Sequence, residues 1–167
     1  MPRLNELVDR YMAMWNEGDD DARRKTIDEL YTDDAVYTFF NADPFVGKAA
    51  IFKHVTVAHR IYIPRGFTFR SCHNATGHHN LVRFNWVMLA EATGEVDMMG
   101  NDVLVLDEAG RISLDHQFHD KMASVAYEEL LPHLDDMFGD VLTEGEIARY
   151  RVAFGRIGKA MPARDGR

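Results

Sequence analysis

The period of the hydrophobic pattern changes once along this chain, and that change constrains the fold more than any other feature. In the first part, apolar side chains recur at helical spacing, over residues 4–15, 22–31 and 48–61. From residue 67 onwards apolar and polar side chains alternate, over residues 67–74, 78–90, 95–107 and 111–119. A shorter strand-like run lies at 35–40. Helices followed by a strand meander predict an α+β fold, with N-terminal helices covering one face of a curved antiparallel sheet.

The junctions of the meander and the C-terminal part complete this prediction. Thr76-Gly77, Thr93-Gly94 and Ala109-Gly110 join the strand-like runs and suit hairpin turns. Residues 124–136 form a helical pattern that is interrupted near Pro132, and a second helix begins with a capping box at Thr143. We expect a domain at 1–120, with a helical extension at 121–167 that packs on the same domain or on a dimer partner.

Composition and charge exclude several classes of function. The net charge is −8, and the 19 lysines and arginines form no cluster, so we expect no nucleic-acid partner and no anionic membrane surface. Cys72 is the only cysteine, which excludes an internal disulfide and favours a reducing compartment, so we expect a cytoplasmic protein. The chain contains neither a metal-ligand spacing nor a nucleotide-binding glycine motif, and we therefore expect no metal and no cofactor.

Residues 81–88, LVRFNWVM, alternate in a way that leaves two orientations open. Phe84 and Trp86 share one face of an extended chain, whereas Arg83 and Asn85 share the other. The polar pair either meets water, with the aromatic pair in the core, or lines a buried polar site.

Two later strands carry the titratable candidates. Asp102 begins a strand that continues as Val103, Leu104, Val105 and Leu106, a setting that would desolvate its carboxylate and raise its pKa. The alternatives are an exposed aspartate at the strand start, or one paired with Arg83. On the last strand Ser113, Asp115, Gln117 and His119 share a face, which is either a site or the solvated side. A histidine titrates near neutral pH, so His119 is a candidate base.

Several phrases resemble the SnoaL-like proteins of the nuclear transport factor 2-like superfamily: VDRYMAMWNEGDDD, LYTDDAVYTFF, FVGKAAI and GNDVLVLDEAGRI. This superfamily includes ketosteroid isomerase, limonene epoxide hydrolase and polyketide cyclases. The resemblance implies a curved sheet wrapped around a long helix, with an apolar pocket for a small organic ligand between them. It implies that Arg83 and Asn85 point into the pocket and that Phe84 and Trp86 face a partner in a homodimer.

The resemblance also implies roles for single residues. Asp102 and Tyr11 stand where the isomerase binds its substrate oxygen, and Trp15 follows one turn later as a pocket wall. Phe39 stands where the isomerase carries its base, which argues against that reaction. The polyketide cyclases use an acid/base carboxylate on the last strand, often with a histidine, which corresponds to Asp115 and His119.

The epoxide hydrolases supply a second comparison. Their Arg-x-Asp resembles Arg83-Phe84-Asn85, and their second aspartate falls near Gln117. Both carboxylates are thus replaced by amides, which cannot activate water as a base.

Two functions remain as predictions from the sequence. The first is a cofactor-free acid/base enzyme acting on an apolar, oxygen-bearing molecule, as a polyketide cyclase, isomerase or hydratase does. Its catalytic residues would be Asp102, His119, Asp115 and Tyr11, and its substrate-binding residues Arg83, Asn85, Trp15, Phe39 and Gln117. The alternative is a non-catalytic module that binds a ligand or mediates dimerisation, which the residues at 39 and 117 favour.

Overall fold

The computed structural model describes residues 2–40 and 42–160, which form two compact units. The first unit holds residues 2–40 and 44–123, and the second holds 42–43 and 124–160. Residues 161–167 of the predicted C-terminal extension lie outside the described residues. Whether the extension packs on the first unit or on a partner stays a prediction.

The first unit contains three α-helices, α1 (Pro2–Asn16), α2 (Asp20–Leu30) and α3 (Lys48–Tyr62). Capping interactions in the sequence explain where α2 begins and where the turn after α3 ends. The carboxylate of Asp19 caps α2 by accepting a hydrogen bond from the Ala22 amide at 2.8 Å. After α3 a 3₁₀ turn spans Ile63–Arg65, and Gly66 ends it at a φ of +81°, in the left-handed region. The apolar stripe of α1, which includes Tyr11 and Trp15, is buried.

One curved sheet organises the first unit. Its strands are β1 (Tyr31–Phe39), β2 (Phe45–Val46), β3 (Phe67–Ser71), β4 (Thr76–His78), β5 (Leu81–Ala90), β6 (Val96–Leu106) and β7 (Ile112–Lys121). Among the described residues the strand order is β2-β1-β7-β6-β5-β3, and β4 pairs with the end of β5. The predicted α+β fold and the meander β5-β6-β7 are confirmed. The sheet is mixed rather than wholly antiparallel, because β1 runs parallel to β7.

Two element boundaries differ from the prediction. β1 begins at Tyr31, not at residue 35, because Tyr31 already pairs with Ile112 before an irregularity that precedes Val36. The reversal predicted at Thr76-Gly77 lies instead at His79, whose φ is +53°. Gly77 is a strand residue that pairs with Val82, and a Cβ there would lie 2.6 Å from the Leu81 carbonyl oxygen. That glycine marks a close approach of two backbones and not a turn.

The orientation predicted for Arg83 and Asn85 is wrong. Phe84 is 0% exposed and Trp86 2% exposed, and both face the helices, with the Phe84 ring 5.4 Å from that of Tyr11. Arg83 is exposed, and the half-buried Asn85 exchanges hydrogen bonds with Asn74 on the outer face. Burial of two aromatic side chains removes far more apolar surface from water than burial of an arginine and an asparagine, which explains the outcome.

The second unit is helical. It contains α4 (Tyr127–Leu130), a 3₁₀ turn at Leu131–His133, α5 (Leu134–Phe138) and α6 (Glu144–Ala160). The predicted interruption near Pro132 and the capping box are confirmed: the Thr143 amide donates to Glu146 Oε2 at 2.8 Å, and the Glu146 amide donates to Thr143 Oγ1 at 3.3 Å. In the described ranges no helix is both long and apolar enough to cross a membrane.

Candidate active site

A fully buried carboxylate, that of Asp102, lies at the centre of the inner face of the sheet. Its Oδ2 accepts a hydrogen bond of 2.6 Å from the Tyr11 hydroxyl on α1, and its Oδ1 accepts one of 2.9 Å from the Trp86 indole on β5. Burial raises the pKa of Asp102 to about 7, although hydrogen bonds from Tyr11, Trp86 and Gln117 oppose the rise. The predicted desolvation of this carboxylate is confirmed, and its alternative pairing with Arg83 is excluded because Arg83 is on the other face.

Gly100 allows Trp86 to reach that carboxylate. Trp86 lies directly opposite Gly100 in the β5–β6 register, two pairs along from Phe84 opposite Asp102. A Cβ on Gly100 would lie 2.7 Å from Trp86 Cζ2 and 2.0 Å from the Phe118 carbonyl oxygen. Only a residue without a side chain leaves the indole room to lie across β6 and donate diagonally to Asp102.

A second buried carboxylate, Asp115, lies on the neighbouring strand β7. Its Oδ2 accepts a hydrogen bond of 2.6 Å from the Tyr31 hydroxyl, whereas no described residue provides a partner for its Oδ1. Burial raises the pKa of Asp115 well above its ordinary value, and the charge of Asp102 raises it further. Of the two carboxyl groups, Asp115 is therefore the one whose neutral form is favoured by both burial and a neighbouring charge.

The sheet register fixes the two carboxylates as neighbours on one face. Asp102 lies opposite Gln117, and Asp115 lies opposite Leu104 two residues along, so the two aspartates are diagonal neighbours across β6 and β7. Such diagonal positions are about 7–8 Å apart. The half-buried Gln117 accepts a hydrogen bond of 2.8 Å from the Tyr37 hydroxyl and borders Asp102. Two carboxylates and three phenols thus form one polar cluster inside an otherwise apolar layer.

Two histidines border this cluster and both are neutral at physiological pH. His119 is half-buried, 5.5 Å from the Trp86 ring and 6.3 Å from the Phe39 ring, and burial lowers its pKa to about 4. Its buried Nδ1 has no described partner. The prediction that His119 titrates near neutral pH is therefore wrong. His54 lies among aromatic rings at 4.4–5.9 Å, and burial lowers its pKa to about 3.

The structure brings together seven of the predicted residues on the inner face: Tyr11, Trp15, Phe39, Asp102, Asp115, Gln117 and His119. It separates Arg83 and Asn85 from them. Asp43, the aspartate that follows Phe39 in sequence and could replace the missing base only if its loop folded inward, is exposed. Among residues 2–40 and 42–160, no three histidine, cysteine or acidic side chains are grouped so as to hold a metal ion.

Sequence reasoning missed Tyr31, Tyr37 and Trp86. Tyr31 continues the apolar stripe of α2, and for that reason it was assigned to the helix rather than to the start of β1. A signal for Tyr37 existed, because it alternates with Ala35 and Phe39 on the buried face of β1. Trp86 was placed on the outer face, and only the register against Gly100 reveals its contact with Asp102.

Comparison with known proteins agrees with this architecture. A solved structure of a candidate isomerase of the SnoaL-like family from Agrobacterium tumefaciens str. C58 is 26% identical, covers 72% of this chain and 99% of its own, and has a TM-score of 0.65. An NTF2-like protein of unknown function from Exiguobacterium sp. 255-15 is 18% identical, covers 70% and 99%, and has a TM-score of 0.55.

A third solved structure is an epoxide hydrolase/cyclase-like enzyme with a role in pyran ring formation in the polyether salinomycin. It is 19% identical, covers 71% of this chain and 91% of its own, and has a TM-score of 0.54. The last two similarities show the fold alone. No curated protein matches the chain. The SnoaL-like domain family matches residues 8–114, and the chain therefore belongs to that family.

Proposed function

We propose that this chain is a cofactor-free acid/base enzyme that acts on an apolar, oxygen-bearing small molecule, of the polyketide cyclase, isomerase or hydratase type. The observation that carries the proposal is the fully buried carboxyl group of Asp115. Its pKa is raised, and its Oδ1 makes no hydrogen bond to a described residue. The similarity to a candidate isomerase of the same family supports this class of reaction.

Asp115 is the general acid in this proposal. The Tyr31 hydroxyl donates to its Oδ2, so the carboxyl proton resides on Oδ1. Oδ1 makes no hydrogen bond to a described residue, although the Tyr11 hydroxyl lies close enough to lower the pKa of Asp115. A buried O–H donor without an acceptor is costly. A carbonyl, ether or epoxide oxygen of a bound molecule would accept it and become activated for reaction.

Asp102 is the matched base and the source of negative charge. A pKa of about 7 is suited to proton transfer at neutral pH, because both protonation states are populated. The Tyr11 and Trp86 donors hold its carboxylate in one orientation. The negative charge of Asp102 also holds the proton on Asp115. His119, neutral at pH 7, supplies a hydrogen-bond acceptor at its Nδ1 or a donor, depending on its tautomer.

Hydrogen exchange next to a carbonyl tests this proposal without knowledge of the natural substrate. With cyclohexanone, Asp115 gives its proton to the carbonyl oxygen while Asp102 takes a proton from the adjacent carbon, and reversal in D₂O leaves deuterium on that carbon. We expect exchange above the buffer rate in proton NMR spectra, with a loss of about 10²–10⁴-fold in Asp115→Asn. The exposed Asp28 on α2 gives a matched control, Asp28→Asn, that retains the wild-type rate.

The same experiment distinguishes the enzyme from the non-catalytic alternative. The packing of Phe39 against His54 at 4.7 Å favours that alternative, since an apolar ring replaces the base of the isomerases. A ligand-binding module would bind cyclohexanone, seen as shifts of protein resonances, and yet leave its exchange at the buffer rate. That outcome would refute the acid/base proposal.

We also propose that the chain forms a homodimer through the outer face of the sheet. Phe118 on β7 is 54% exposed and Met99 on β6 is 38% exposed, and both point away from the cluster. Large apolar side chains on a sheet face are typical of protein interfaces. Light scattering should give twice the chain mass for the wild type and the single-chain mass for Phe118→Asp. A wild-type monomer at 100 µM would refute this part.

A further inference from the structure

The indole N–H of Trp15 is a buried hydrogen-bond donor without an acceptor. Trp15 is 4% exposed, and no described residue accepts a hydrogen bond from its Nε1. Native proteins nearly always supply a partner to a buried donor, because an unpaired one destabilises the fold. Trp86, the second of the two tryptophans, has its partner in Asp102 at 2.9 Å. The partner of Trp15 is therefore expected from a molecule other than the protein.

Trp15 lies beside the carboxylate cluster and not in a separate region. It follows Tyr11 by four residues on the same face of α1, and the two ring centroids are 6.1 Å apart. Four residues of helix rise by about 6 Å. Tyr11 donates to Asp102, and Tyr37, whose ring is 6.0 Å from Trp15, donates to Gln117. The indole thus borders two phenols, one bound to Asp102 and the other to Gln117, which lies opposite Asp102 in the sheet.

The donor chemistry limits what binds at this point. An indole N–H only donates, so the missing group is an acceptor. The surroundings of Trp15 are rings: His54 at 5.9 Å, perpendicular to the indole, and Phe69 at 6.0 Å. His54 is neutral, so this region offers no positive charge to an anion. A neutral carbonyl or ether oxygen fits the site, whereas a carboxylate does not.

We infer that the ligand of this site is a neutral apolar molecule with two acceptor oxygens, the first bound by Asp115 and the second by the Trp15 indole. The first of these contacts rests on the proposed function, and the second rests on the Trp15 geometry alone.

Cyclohexanone and cyclohexane-1,4-dione form a matched pair of probes, since they differ only in a second oxygen on the opposite side of the ring. Each would be titrated into ¹⁵N-labelled protein while the two indole N–H signals are followed. Trp86 reports the carboxylate end, and Trp15→Phe assigns the other signal and removes the donor while keeping an aromatic ring.

We expect both probes to shift the Trp86 signal and only the dione to shift the Trp15 signal strongly. The dione should bind about tenfold more tightly, of which twofold is statistical because its two oxygens are equivalent. In Trp15→Phe the advantage should fall to twofold or less. The shift in the wild type does not depend on the folding of any variant.

Three results would overturn the inference. These are an equal response of the Trp15 signal to both probes, an absent affinity difference, and a difference that persists in Trp15→Phe. If cyclohexanone still binds and exchanges in those cases, only the second contact fails and the proposed function stands. If neither probe binds at 50 mM, the two-oxygen ligand and the proposed substrate class both fail.

Discussion

Replacement of Asp102 by asparagine should change the pH dependence of stability by one proton. Burial raises the pKa of Asp102 from 3.8 to about 7. Between these values the folded chain retains a proton that the unfolded chain has lost, so the free energy of unfolding decreases as the pH rises. One proton corresponds to about 1.4 kcal/mol per pH unit, or about 4 kcal/mol over the whole window.

Other buried groups also contribute to the pH dependence of the free energy of unfolding. Comparison of the wild type with Asp102→Asn separates their contributions from that of Asp102. Burial lowers the pKa of His54 to about 3 and of His119 to about 4, so these residues make the fold less stable as the pH falls below 6.5. The pKa of Asp115 is raised like that of Asp102, so Asp115 also makes the fold less stable as the pH rises. All three are present in Asp102→Asn. The contributions of the two histidines cancel in the difference between wild type and variant, which reports the proton of Asp102 together with any change in the pKa of Asp115.

Urea unfolding at pH 4.5, 5.5 and 6.5, followed by tryptophan fluorescence, measures this difference. Trp15 and Trp86 both lie in the first unit, so the signal reports the unfolding of the unit that holds the cluster. The advantage of the wild type over Asp102→Asn should fall by about 1.4 kcal/mol per pH unit. Asp28→Asn should run parallel to the wild type. If Asp102→Asn also runs parallel, Asp102 is ionised throughout this range and the desolvation reasoning is refuted.

Three further predictions test the contacts around the cluster. Gly100→Ala should lower the free energy of unfolding in urea by about 1–3 kcal/mol, because the added Cβ would overlap Trp86 and the Phe118 carbonyl. Gly155→Ala, whose Cβ would meet open space, should leave the free energy of unfolding unchanged or raise it slightly. Equal effects of the two substitutions would contradict the packing account. Trp86→Phe removes a donor that lowers the pKa of Asp102, so the rise of the cyclohexanone exchange rate with pH should move to higher pH; an unchanged profile would show that the indole does not act on this carboxylate. Arg83→Ala should exchange cyclohexanone within about twofold of the wild-type rate, and a tenfold loss would show that its exposed side chain reaches the substrate.

The order and type of the elements could be predicted because they depend on local patterns. A change of period from 3.6 to 2 separates α3 from β3, and turn glycines such as Gly94 and Gly110, both at positive φ, separate the long strands. The facing of β5 could not be predicted with the same security. The alternating pattern is the same whether Phe84 and Trp86 face the helices or the outer side of the sheet. Only the burial of the two rings, with Phe84 packed against Tyr11 of α1, determines which orientation is adopted.

The partners of the carboxylates depend on contacts that are distant in sequence. Tyr31 and Asp115 are 84 residues apart, and Tyr11 and Asp102 are 91 residues apart. The apolar residues that follow Asp102 in its strand predict the desolvation of its carboxylate. No residue near it in sequence predicts which hydrogen-bond donors face it. Residue type therefore indicated where an acid or base lies, whereas tertiary packing determined how many oxygens of each carboxylate are already bound.

The number of hydrogen-bonded oxygens on each carboxylate distinguishes the proposed base, Asp102, from the proposed acid, Asp115. Asp102 receives a donor on each oxygen, which stabilises its charged form. Asp115 receives a donor on one oxygen only and lies within the field of Asp102, which favours its neutral form. Two aspartates of equal burial thus differ in pKa. The donors on Asp102, among them the indole that Gly100 admits, and the charge of Asp102 beside Asp115 cause the difference. Loss of the Trp86 donor should therefore weaken the distinction between acid and base without removing either carboxylate.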